Sequence, residues 1–176
     1  MSADTVRSRC EYYRSVYHLP AVADSTSGVI GFATGMVWAV EMASELAQSV
    51  KIDMDRRRVG GGPIISHPRS ARWTFLVRSD IPVPTRGDDS LARNGIRVLS
   101  GGEQVELPSP AECGVFYRAW INAPSSPYRP SGAAVLESTH RVLHAVSMVE
   151  NTAVLPVLTV PLALLTRARS ADPEPA

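Results

Sequence analysis

GGGPIISHPRSARWTFLVRSDIPVP, residues 60–84, reads as a glycine stop, a short apolar strand, a basic turn, a second apolar strand and a proline-bounded exit. Ile64–Ser66 and Trp73–Val77 are rich in β-branched and aromatic residues, and each is the length of a strand. The linking loop, His67–Arg72, is slightly long for a tight hairpin. Gly60-Gly61-Gly62 stands where a preceding helix would stop. A helix stop, two short strands about a basic turn and a proline-bounded exit place the chain in the α+β class.

Working outward, residues 42–58 predict a helix with a narrow apolar stripe of Ala43, Leu46, Ala47, Val50 and Met54. Residues 131–148 predict a second long helix, with Val135, Thr139, Val142, Val146 and Val149 on one face. Residues 6–17 suit a short helix presenting Val6, Cys10, Tyr13 and Tyr17, ended by Pro20. Asp24–Gly28 is a turn. Val29–Phe32 and Met36–Glu41 are expected to pair as a hairpin through Ala33-Thr34-Gly35. Ile96–Leu99 and Gln104–Leu107 are expected to form another about Ser100-Gly101-Gly102-Glu103. Residues 79–94 read as loop with one helical turn near Ser90–Arg93. Phe116–Ile121 reads as a further strand, and Pro124–Pro130 as a rigid loop. The expectation is one α+β domain over residues 1–150, a mixed, mainly antiparallel sheet packed by two main helices. Residues 151–176 form a C-terminal extension, expected to be largely disordered.

With 176 residues and 44% apolar content the chain can bury one core. Cys10 and Cys113 are far apart and show no metal-ligand spacing, so no zinc site and no disulfide framework is implied, which fits a reducing cytoplasm. The N-terminus lacks an apolar signal core. The most apolar run, Val154–Leu165, is twelve residues with two prolines, too short to span a bilayer as a helix, so no membrane partner is expected.

The formal net charge is +1, but residues 51–97 hold ten basic and five acidic side chains, while each flank sums to −2. Such a zone attracts phosphate even on a near-neutral chain. Seventeen of the eighteen basic residues are arginine, whose planar fork suits phosphate; GC-rich codon usage produces the same bias. The candidates for nucleic-acid contact are Arg56, Arg57, Arg58, Arg69, Arg72 and Arg78, with Arg86, Arg93 and Arg97 nearby and Trp73 or Tyr128 as stacking platforms. Trp73 also fits a buried strand.

Other motifs carry less. Asp53-Met54-Asp55 is a DxD, a metal-holding pattern on a strand. On a helix its carboxylates diverge by about 200°, and Asp53 pairs with Arg57 at i+4. The glycines of Gly60–Gly62 lack the Gly-Lys-Ser/Thr of a phosphate loop. His67 ends a strand, facing a cleft or packing a turn. Glu137, His140 and His144 share a helical face without the order of a zinc protease.

Val40-Glu41-Met42, Gly62-Pro63-Ile64 and Phe75-Leu76-Val77, with Leu107–Pro110, Tyr117–Trp120 and Tyr128-Arg129-Pro130, resemble small uncharacterised actinobacterial proteins. These are in turn similar to the N-terminal domain of bifunctional DNA primase/polymerase (prim-pol) proteins, over about residues 9–145. The resemblance implies a sheet that, in active members, bears a strand-borne DxD, an SxH and a further acid. Here no strand-borne DxD is present, and Ile65-Ser66-His67 departs from the histidine motif. The expectation is therefore a non-catalytic cytoplasmic protein, nucleic-acid-associated or regulatory, with DNA or RNA or a protein as partner and no cofactor. The alternatives are a nucleotidyl transferase, requiring Mg²⁺ or Mn²⁺, and a protein-interaction module using the proline-bounded loops 79–90 and 124–130.

Overall fold

The computed structural model describes residues 4–60, 62–82, 88–111 and 117–153. The chain falls into two compact units, residues 1–144 and 145–176; the described part of the second, 145–153, is helical. The described elements are α1 (Val6–Ser15), β1 (Val22–Ala23), β2 (Ile30–Ala33), β3 (Val37–Ala43), α2 (Ser44–Arg56), β4 (Ile64–His67), β5 (Arg72–Arg78), α3 (Asp89–Arg93), β6 (Arg97–Leu99), β7 (Gln104–Leu107), β8 (Ala119–Asn122) and α4 (Gly132–Ala153). The architecture is α+β, as expected. Two antiparallel sheets replace the single expected one: a five-stranded sheet in the order β6-β3-β5-β4-β8 and a three-stranded sheet in the order β1-β2-β7.

Neither expected hairpin forms. β2 pairs with β1 and β7, whereas β3 pairs with β5 and β6. The turns at Ala33–Val37 and Leu99–Gln104 are corners at which the chain leaves one sheet for the other. The corners are stitched together. The Thr34 N–H donates to Glu103 O at 2.8 Å, and the Gly102 N–H donates to Thr34 O at 2.9 Å. Gly101 and Gly102, at φ 67° and 96°, occupy the left-handed region that glycine enters without steric cost.

The pleat divides the core between the faces of the larger sheet. On one face, Ala39, Leu76, Ile65 and Leu99 pack with Cys10 and Tyr13 of α1, with Tyr17 just after it, and with Ile30, Phe32, Val105 and Leu107 of the smaller sheet. Tyr13 is buried there with both polar needs met. Its hydroxyl donates to Pro108 O at 2.7 Å and accepts from the Trp120 indole at 3.2 Å. On the other face, Val40, Met42, Ile64, Phe75 and Val77 pack with Ala47, Val50 and Met54 of α2 and Val135 and Leu136 of α4.

Local chemistry sets the helix ends, with two corrections. α1 starts in a capping box between Thr5 and Ser8. It ends at Ser15, ahead of Pro20, and His18 turns the chain at φ 50°. Met42 and Ala43, read as helical, belong to β3, where they pair with Trp73 and Arg72. The stop of α2 is not glycine either. The Val59 N–H donates to Met54 O and the Arg58 N–H to Asp55 O, each at 3.1 Å, which is a Schellman closure. Its left-handed residue is Arg58, at φ 57°. Gly62 serves close approach instead, against Pro130, and Gly61 lies outside the described residues. Phe116 and the tail after Ala153 lie outside the described residues.

Candidate functional site

Beyond the core, the α1-facing side of the larger sheet ends in a polar cluster. Register builds it: Glu41 lies between Thr74 of β5 and Arg97 of β6, and His67 of β4 lies opposite Arg72. The Glu41 carboxylate, only 16% exposed, accepts from Arg72 Nε and stands 3.8 Å from Arg97 Nη1. Arg72 also donates from Nη2 to Gly95 O at 2.6 Å, tying the sheet to the turn after α3. Arg97, 61% exposed, reaches Glu103 at 3.5 Å. Arg118, just before β8, pairs with Glu106 of β7.

His67 sits among these groups, half-buried, with Nε2 2.9 Å from Thr74 Oγ1. Burial chiefly, then the positive field of Arg118, hold the imidazole below its usual range; Glu41 pulls the other way, and Arg72 adds a smaller push in the same direction as Arg118. Burial likewise lowers the Arg118 guanidinium. The fold therefore favours neutral His67, and an unfolded chain takes up the proton first as pH falls through about 6.5. Stability contributed by neutral His67 is fully present above that pH and is lost on acidification towards the lower folded value. Denaturation midpoints of the wild type and His67→Gln should differ at neutral pH, and the difference should shrink as the pH falls below about 6.5. A constant difference across that range would show that the ring does not titrate in this way.

Of the residues singled out from the sequence, the structure brings His67, Arg72 and Arg97 to this end of the sheet and sets Arg56, Arg57, Arg58, Arg69 and Arg78 elsewhere. Arg69 lies in the turn between β4 and β5. Arg78 is at the far end of β5, six residues from Arg72 or about 20 Å along a strand, and contacts Asp80 at 3.3 Å. Arg56, Arg57 and Arg58 close α2, which packs on the opposite face. Arg57 is bound to Glu137 at 2.6 Å and lies 3.7 Å from Asp53. The six arginines thus do not form one surface. Asp53 ends near Arg57 and Arg141, and Asp55 ends on Lys51 at 2.6 Å, so the DxD carboxylates diverge as its helical setting requires. His140 stands 3.7 Å from Asp88, and His144 is exposed.

Glu41, Thr74 and Arg118 escaped sequence reasoning. Glu41 looks like a scaffold residue in the apolar run VWAVEM, and only the register reveals what surrounds it. The cluster presents three guanidiniums, of which Arg97 is the most open. Its acid contacts, at 3.5 and 3.8 Å, are longer than charge-assisted hydrogen bonds, so an arriving phosphate oxygen competes for it readily. Residues two apart share a face of a strand, and the neighbours of Glu41 on this face are Ala39 and Ala43. β3 therefore offers one carboxylate here, already neutralised by Arg72.

Comparison with family models, curated proteins and solved structures finds no match to this chain.

Proposed function

We propose that this chain is a non-catalytic cytoplasmic module on a prim-pol-like scaffold that associates with nucleic acid through phosphate contacts at the arginine-bearing end of its larger sheet. The observation that carries the reading is the set of arginines at one end of the sheet: Arg72 and Arg118 beside a histidine whose pKa burial and their charges lower, and the exposed Arg97, two strands from Arg72, in only loose ion pairs. Guanidinium groups of this kind hold a phosphate backbone without reading sequence. The non-catalytic part rests on β3, where Ala43 occupies the position a second strand-borne acid would need. No helix among the described residues is long and apolar enough to cross a membrane.

Fluorescence anisotropy with labelled single- and double-stranded DNA tests the reading. Affinity should fall steeply with added salt. Arg97→Gln should weaken binding by about three- to tenfold at low salt and reduce the salt slope by about one. Absent or salt-independent retention of both DNA forms would overturn the proposal.

A further inference from the structure

The opposite face of the larger sheet holds a cavity of about 120 Å³. Its floor is apolar: Met54, Ile64 and Phe75, each no more than 4% exposed, with Pro130 closing one side. An engineered apolar cavity of about 150 Å³ takes up benzene, so this space is the size of a single small ring. The mouth is polar. Lys51 and Asp55 span one side in an ion pair of 2.6 Å, and Asn122 stands at another.

Asn122 is present because the sheet is irregular there. Trp120 pairs with Ile65 and Asn122 pairs with Ile64, so Ile121 is an extra residue in β8. A regular register would set Ile121 opposite Ile64; the bulge sets a carboxamide there and leaves Ile121 41% exposed. Bulges commonly re-aim one side chain beside a functional site. One Asn122 N–H is used, donating from Nδ2 to Gly62 O at 2.7 Å. A carboxamide has a second N–H and a carbonyl oxygen, which together match a ring edge carrying adjacent C=O and N–H groups. Lys51 and Asp55 neutralise each other, so the mouth favours an uncharged ring.

We propose that this cavity binds a small planar ring with a lactam edge, of the size and hydrogen-bonding pattern of a pyrimidine base. The ring is supplied free, as a base or nucleotide, or as an unpaired base of a strand. The site lies across the sheet from the arginine cluster and stands or falls independently of it.

The test is saturation-transfer NMR on the full chain with uracil, uridine 5′-monophosphate and oligothymidylate, with benzene as the control ring, alongside methyl shifts of Ile64 and Met54. Uracil should bind and shift both methyls. Asn122→Ala should weaken uracil about fivefold, the loss of one hydrogen bond, while leaving benzene unchanged. Ile64→Phe, which fills the cavity, should abolish both. Binding of the free base and nucleotide without oligothymidylate identifies a small-molecule site, and oligothymidylate displaced by uracil identifies a strand-borne base. The proposal is overturned if uracil leaves the wild-type methyl shifts unmoved, or if benzene binds as well as uracil and Asn122→Ala alters neither. DNA retention that persists alongside unmoved methyl shifts overturns this site alone.

Discussion

Gly62→Ala is expected to destabilise the protein by about 2–3 kcal/mol, at the upper end of ordinary overpacking costs. A Cβ on Gly62 would stand 2.0 Å from Pro130 Cδ and 2.7 Å from Pro130 Cγ. The obstructing group is a ring fused to the backbone, so no rotamer relieves the clash. Nor is Pro130 free to retreat, because its carbonyl accepts from the Arg78 N–H at 3.0 Å and anchors the loop before α4 to the end of β5. Gly62 is held from the other side too, by the Asn122 amide. Gly35→Ala is the matched control. A Cβ there meets nothing within 4 Å and φ is not positive, so the change should be neutral or slightly stabilising, by at most about 1 kcal/mol. Urea denaturation of the two variants separates steric conflict from a generic glycine effect. Equal midpoints for Gly62→Ala and wild type would show that the Gly62–Pro130 contact does not constrain the fold.

The same glycine illustrates what a sequence conveys. Gly60-Gly61-Gly62 signals a break in regular structure, and α2 does end just before it. That the break is carried by a left-handed Arg58, while Gly62 serves a contact with a residue 68 positions later, depends on tertiary packing and leaves no local mark. Strands followed the same rule. Period and β-propensity located Ile64–Ser66, Trp73–Val77 and Gln104–Leu107 to within a residue or two. Turn chemistry at Ala33–Gly35 and Ser100–Glu103 showed that the chain bends, but not whether the next strand returns to its neighbour or departs to another sheet. The two corners hydrogen-bond to each other across about seventy residues, a long-range pairing that turn rules do not address. Helical faces were legible over most of their length, because burial there follows a local period: Cys10, Tyr13, Ala47, Val50, Met54, Val135 and Thr139 are buried as their stripes require, whereas Val146, on the expected face of the last helix, is 50% exposed. The polar cluster was the least legible feature. Its members come from β3, β4, β5, β6 and the approach to β8, and they meet only through register.

Glu41 holds that cluster together, and its removal should carry the other large effect. Glu41→Ala is expected to cost about 2–4 kcal/mol, below the 3–5 kcal/mol of a fully buried pair because a quarter of the Arg72 side chain reaches solvent. Arg72 would keep its contact with Gly95 O but lose the carboxylate that compensates its charge. Glu41→Gln, which retains an acceptor, should cost about half as much. The cost comes from stranding a charge rather than from attraction alone, so removing both partners should be gentler than removing one. Glu41→Leu/Arg72→Leu is expected to recover most of the loss, with a coupling of about 1–3 kcal/mol in the double-mutant cycle. His67 supplies an internal gauge. Glu41 raises its pKa and Arg72 lowers it, so Glu41→Ala should move the imidazole titration down and Arg72→Leu should move it up. Opposite displacements in an NMR titration would place all three groups in one electrostatic unit. An additive cycle with an unmoved histidine would mean that Glu41 and Arg72 are a solvent-screened pair, and that the arginine cluster has no common organising charge.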